Sequence, residues 1–205
     1  AIADGSTAAD AAIYTGNGST QSITGLNFSP DVVWIKARSA ALAHRLYDTN
    51  RGVHLGLQPD TGIAENNSSN SLTAFHADGW TVGSDSNVNS NTVSFVGWAW
   101  DCGSSSSSNT DGEITTQVRA NTTSGVSVFT YTGNGSGSTL GHGLGAAPEV
   151  AIVKNRETTG VWIVYTNVID GRNDYLVLNG TGTAGGTSNF VPTSTTITVS
   201  GNSTT

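Results

Sequence analysis

Two cationic words recur along the chain, "KAR" and "KNR". In each the basic residues are two apart: Lys36 with Arg38, and Lys154 with Arg156. On a β-strand such residues project from one face, so either pair is suited to clamp an anion, an acidic sugar or a phosphate. A solvated strand end, partly neutralised by Asp31 or Glu149, accounts for the same residues more simply. Trp98 and Trp100 share that spacing and therefore a face. Exposed, such rings stack on sugars; buried, they fill a core. With only 36% hydrophobic residues in the chain, burial is the expectation. Trp34, Trp80 and Trp162 lie in other apolar strands.

Other chemistry finds little support in the spacing. The stretch "SDSNVNSN" at 84–91 starts like a calcium loop, with Asp85, Asn87 and Asn89, but Ser90 stands where glycine is needed and Val96 where the bidentate Glu belongs. An oxygen-rich loop can hold calcium in another geometry, which leaves calcium possible but unsupported, and no other cofactor is called for. "GTGTAG" at 180–185 matches a dinucleotide pattern by letters, but no helix follows to receive a phosphate. Cys102 stands alone, so no internal disulfide forms, and the scattered His44, His54, His76 and His142 make no zinc spacing. There is no G-x-S-x-G elbow and no HExxH. Nothing points to a pair of glycoside-cleaving carboxylates. The chain is expected not to be an enzyme.

The bulk properties narrow the partners. A net charge of −7, with 8 basic residues against 15 acidic, excludes the clustered cations that phosphate neutralisation requires, so no nucleic-acid role is expected. No apolar run approaches a membrane span. Charged residues are 11%, replaced by Ser, Thr, Asn and 26 glycines, a composition that suits short strands and tight turns.

The elements that must carry these residues repeat. "YTGNGS" occurs at 14–19 and again at 131–136, and the match continues downstream: Pro30 pairs with Pro148, Lys36 with Lys154, Arg38 with Arg156. A repeat must be found before a fold is assigned. Asn17-Gly18 signals a type I′ hairpin turn. "SAALAHRL" at 39–46 has helical composition, but its counterpart "TTGVWIVY" is strand-forming, so both segments are expected to be strands. "AFHADGWTV" at 74–82 reads as a hairpin turning at Asp78-Gly79, and "TVSFVGWAWD" at 92–101 as the closing strand of the first copy. In the second copy "EITTQVRA" and "GVSVFTYTGNG" read as strands, and a hairpin is expected near "TTITVSG", where Ile197 and Val199 match Trp80 and Val82. No second-copy segment corresponds to "TVSFVGWAWD".

The expected fold is all-β: two tandem antiparallel β-sandwich, jelly-roll-like repeats, the second incomplete at its C-terminus. The expected division is 1–102 for repeat one, a flexible Ser-rich linker at 103–111, and 112–205 for repeat two. The alternative is a single larger sandwich. The chain reads as a slice of a longer repeat protein; strand complementation by a neighbouring subunit is the other explanation for the absent closing strand.

The strings "YTGNGSTQSITGLNFSPDVVWIKARS", "HRLYDTNRG", "SLTAFHADGWTVG", "VSFVGWAWDCG" and "GHGLGAAPEVAIVKNRE" resemble a repeated concanavalin- or laminin-G-like β domain of virion proteins from marine and cyanobacterial tailed phages. The resemblance implies an extracellular virion component, in a tail fibre or another host-facing part, working as a homo-oligomer against other virion proteins. It carries over no catalytic or ligand residue. Three roles follow as expectations, in this order: a non-enzymatic module attaching to host-surface glycan, a purely structural capsid decoration or fibre spacer, and a glycan-cleaving enzyme.

Overall fold

The computed structural model describes residues 4–169, 174–182, 185 and 190–201. The fold is all-β, with every strand pair antiparallel. The chain divides into two compact units. Unit one is Ala1–Asp60 with Glu65–Gly103, and unit two is Thr61–Ala64 with Ser104–Thr205.

Unit one contains β1 (Ala9–Thr15), β2 (Gln21–Thr24), β3 (Val32–Ala37), β4 (Arg45–Asp48), β5 (Leu55–Gly56), β6 (Asn66–Asn67), β7 (Leu72–His76), β8 (Gly79–Val82), the one-turn helix α1 (Ser86–Asn89) and β9 (Ser94–Trp100). They form a four-stranded sheet, β1-β9-β3-β4, a three-stranded sheet, β2-β8-β7, and the small pair β5-β6. The alternation is direct. Along β3 and β9 every second residue is buried: Val33, Ile35 and Ala37 on one, Phe95, Gly97 and Ala99 on the other. These side chains share one core with Ile23, Leu72, Trp80 and Val82 from the three-stranded sheet, and with Val88 of α1. Gly97 is required there, because a Cβ on it would sit 2.4 Å from Cζ2 of Trp80. The Tyr14 and Phe95 rings, paired across β1 and β9, stack with centroids 5.2 Å apart.

Unit two contains β10 (Ser107–Asn109), β11 (Thr116–Asn121), β12 (Val126–Thr130), β13 (Ser138–Gly141), β14 (Val150–Val153), β15 (Ile163–Thr166), β16 (Asp174–Val177) and β17 (Thr196–Val199). Its sheets are β10-β11-β12, β14-β15-β16 and β13-β17. Leu140, Val153, Ile163, Tyr165, Phe190, Ile197 and Val199 form its core. Two strand pairs have the register of their counterparts in unit one. Gln21 faces Val82 as Ser138 faces Val199, and Val33 faces Tyr47 as Ala151 faces Tyr165.

Several expectations are corrected. Asn17-Gly18 is not a hairpin turn, because β1 pairs with β9 and β2 with β8, in different sheets. It is a corner between sheets. Gly18 has φ 70° while Asn17 is not in the left-handed region, so a type I′ turn is excluded. What the repeated word encodes is an Asx turn: Ser19 N–H donates to Asn17 Oδ1 at 2.8 Å, and Ser136 N–H donates to Asn134 Oδ1 at 2.9 Å. The hairpin of β7 and β8 closes on Ala77-Asp78, one residue earlier than expected, with His76 facing Gly79. Residues 39–46 contain no helix, and β4 starts at Arg45.

The polar loop at 84–91 contains α1, capped by Asp85 through its bond from Asn87 N–H. Its Asn89 is fully buried and ties the corner, donating through Nδ2 to Asn17 Oδ1, Ser19 O and Gly83 O. A single apolar residue, Val88, anchors the turn, too short a signal to read as helix. The serine run is not all linker, since Ser107–Asn109 pairs with β11 as β10. Small hydroxyl side chains are tolerated on such an edge strand. Thr61–Ala64, from within the first repeat, belongs to unit two, where Gly62 O accepts from Gly160 N–H at 2.8 Å. For the second-copy hairpin near 196–199, the β17 strand is present, but residues 186–189 lie outside the described residues, as do 183–184 of "GTGTAG".

Candidate functional site: an aromatic sheet face on unit one

The inward residues of the four-stranded sheet fill the core, so the alternate residues cover its outer face. One row across the strands reads Ala11, Trp98, Trp34, Leu46. The row on one side reads Ala9, Trp100, Val32, and on the other Ile13, Val96, Lys36. Small alanines on β1 leave the indoles uncovered. Trp98 is 38% exposed and Ile13 67%. Burial was the expectation for the Trp98–Trp100 pair, and for Trp98 it is corrected. The strand is buried on one face only, and that face is taken by Phe95, Gly97 and Ala99. Trp100 is half-buried on the same outer face.

Two residues that spacing arguments missed complete the patch. Trp34 meets Trp98 edge-on, with centroids 6.4 Å apart and planes at 77°. His44, just before β4, lies against Trp34 at 5.9 Å and accepts its indole N–H at Nδ1, 3.0 Å away. That bond assigns the tautomer, leaving Nε2–H as a donor. Burial lowers the pKa of His44 below the ordinary value of 6.5; Asp60 opposes the shift and Lys36 adds to it. The imidazole is therefore neutral near pH 7. Period-two alternation from Lys36 would have put Trp34 on this face; nothing in the sequence marks His44.

The cationic pairs are placed otherwise. Lys36 is half-buried and its ammonium donates to Leu42 O at 2.8 Å. Lys154 donates to Asn155 O at 2.5 Å and to Thr158 O at 3.1 Å. Both lysines thus fasten the loop that leaves their strand, and burial lowers the basicity of Lys154. Arg38 is exposed one residue past β3, and Arg156 is half-buried. In each unit the lysine ammonium is taken up by carbonyls of its own loop, so neither lysine is presented with its arginine as an anion clamp.

Unit two presents a different outer face. Val150 and Ile152 stand where Val32 and Trp34 stand in unit one, and are 51% and 49% exposed. Trp162, which takes the place of His44, is buried and donates Nε1–H to Thr61 O at 3.0 Å. Among the described residues no group of His, Cys, Asp or Glu is arranged to hold a metal ion.

Rings with a polar donor at their rim offer both apolar contact and one directional bond. Indole faces contact the C–H faces of sugars or the side chains of a protein neighbour, and His44 Nε2–H supplies one directional bond. No curated protein and no solved structure matches the chain. The model of one family, a domain of unknown function, DUF7483, matches residues 4–205, and the chain belongs to that family.

Proposed function

We propose that this chain is a non-enzymatic surface module of a phage virion that attaches to host-surface glycan through the aromatic face of unit one. The supporting observation is Trp98, an indole left 38% exposed in the middle of a sheet face with Trp34 and His44 beside it. A flat platform of this kind makes a few weak contacts with a sugar chain, and a homo-oligomer multiplies them into useful avidity. Its other neighbours are virion proteins, and its place is extracellular. The phage setting comes from the sequence resemblance. The low charge and the absence of a catalytic arrangement among the described residues suit binding rather than turnover.

A second reading has its own support. Ile13 is 67% exposed at the edge of the same patch. An aliphatic side chain there suits a protein neighbour, as in capsid decoration or a fibre spacer.

The test is glycan-array binding by the intact chain and by Trp98→Ala, with circular dichroism to establish that both fold alike. Loss of a stacked indole should weaken binding about tenfold, equivalent to about 1.4 kcal/mol. No glycan binding by the intact chain, or equal binding by the variant, overturns the attachment reading. Crosslinking from position 13 to another virion protein in particles would then establish the structural one.

A further inference from the structure

In unit one the sheet order is β1-β9-β3-β4, so β9 lies between β1 and β3 and bonds to both. The counterparts of β1 and β3 in unit two are β12 and β14. Among the described residues each is the last strand of its sheet: β12 ends β10-β11-β12, and β14 begins β14-β15-β16. The strand pairs surrounding them keep the register of unit one, β13-β17 like β2-β8 and β14-β15 like β3-β4. These two pairs match unit one, and among the described residues the position between β12 and β14 has no strand.

The side chains bordering that position show the loss. Val33, beside β9, is fully buried, whereas its counterpart Ala151 is half-buried. Tyr14 stacks on Phe95 of β9; its counterpart Tyr131 is half-buried and meets the Phe129 ring at a tilt, with centroids 6.4 Å apart. Every residue of β12 is partly exposed, on both faces. β14 offers an uncharged Val-Ala-Ile-Val edge with no Pro, Lys or bulge to protect it. Such an edge is a template for strand addition.

We propose that unit two is an acceptor for one further strand of β9 type, inserted between β12 and β14 and following β17 in the same polypeptide as β9 follows β8. The chemistry of the occupant is set by unit one. One side carries a large ring and a methyl on either side of a small central residue, as Phe95 and Ala99 flank Gly97, with the central residue's size set by Ile197 where unit one has Trp80; the other carries apolar residues to lie beside Val150 and Ile152, as Trp100 and Trp98 lie beside Val32 and Trp34. The inserted ring stacks on Tyr131. The in-chain source is favoured because β17 has the register of β8, so a strand following β17 starts from the same place in the sheet as β9 does after β8.

The test is a chain in which a copy of residues 83–101 is joined after Val199, compared with the unmodified chain by amide hydrogen exchange. Expected is at least about a tenfold slowing of exchange in β12 and β14, with little change in β15. The same graft with its Phe95 copy replaced by Lys should give no slowing. Unchanged exchange at β14 in a folded graft overturns the proposal. Should the graft not fold, a synthetic peptide of residues 92–101 added to the unmodified chain gives a second reading. Slowed exchange in β12 and β14 then supports the slot, and no effect overturns it. Pairing of β14 with β14 of a second copy that persists in the graft also overturns it.

Discussion

Position 45 in unit one and position 163 in unit two hold the same place in the same register, yet one is Arg and the other Ile. Arg45 is 6% exposed and Ile163 7%. The aliphatic version packs in a cluster with Leu140, Tyr165, Phe190 and Ile197. The cationic version sits in a polar pocket with Tyr47, Ser71 and Asp85, where its Nε and Nη1 have no hydrogen-bond partner among the described residues. A few residues on, Arg51 shows a satisfied buried guanidinium: Asp48 at 2.5 Å, Glu65 at 2.6 Å, and the carbonyls of Leu55 and Leu46. One strand position therefore tolerates either solution, provided its surroundings match. The register of this strand pair is common to the units and the stabilising chemistry is local.

The strongest way to break the comparison is to exchange the solution without its surroundings. Ile163→Arg places a charge among aliphatic and aromatic side chains, and should cost about 3–5 kcal/mol, enough to unfold unit two. Urea titration followed by hydrogen exchange within β15 would measure it. A variant as stable as the parent would show that unit two contains a hidden polar pocket.

Next in size is Gly97→Val. The added side chain meets the Trp80 ring, which is fully buried and held on both sides by the core. Overpacking of this kind costs about 1–3 kcal/mol, read as a lowered urea midpoint for unit one. Unit two has no described residue at the matching place, so the penalty should be confined to unit one. This residue also shows what was legible. The alternation of "SFVGWAW" identified a strand with two indoles on one face, and the repeat identified which residues share a register.

What stayed hidden depended on partners distant in sequence. The corner at Asn17-Gly18 has hairpin chemistry but bends between sheets because β9, seventy-odd residues later, captures β1. The exposure of Trp98 could not be read from its strand, because it follows from the alanines of β1 that lie beside it. The serine run became a strand only because β11 offered it an edge. Local types gave the faces of the strands; which strands meet was set by edges and side chains distant in sequence.

A smaller effect concerns acid. His44 in unit one and His142 in unit two are both held below 6.5, burial being the main cause in each. The Thr193 and Asp111 neighbours work against the shift at His142. A neutral folded imidazole means that the unfolded chain takes up protons that the folded one refuses. Stability from this source is complete above pH 6.5 and is lost as pH falls from there toward the lowered folded values. His142 is 1% exposed, with Nδ1 accepting from Leu144 N–H at 3.2 Å. His142→Gln should therefore flatten the urea midpoint between pH 7 and pH 5 more than His44→Gln. The opposite ranking would mean that the outer face of unit one, not the core of unit two, controls the acid response.

The smallest expected effect is the converse of the first exchange. Arg45→Ile removes a buried charge whose Nε and Nη1 are unpartnered, so what is lost in electrostatics is offset by the desolvation no longer incurred. The net change should stay within about 1 kcal/mol. Asp85 makes the experiment sensitive to more than that total. Burial works to raise its pKa, but hydrogen bonds from Ser71 and Asn87, together with the Arg45 charge, outweigh it and hold it below 3.8. A lowered folded pKa contributes stability that is present above 3.8 and lost as pH falls through the folded value. Without Arg45 the lowering shrinks, so the acid limb of the stability curve should move to higher pH even while stability at pH 7 barely changes. If stability at pH 7 instead falls by several kcal/mol, Arg45 is a structural partner of Asp85 and not a tolerated substitute for isoleucine, and the equivalence of positions 45 and 163 holds for the backbone alone.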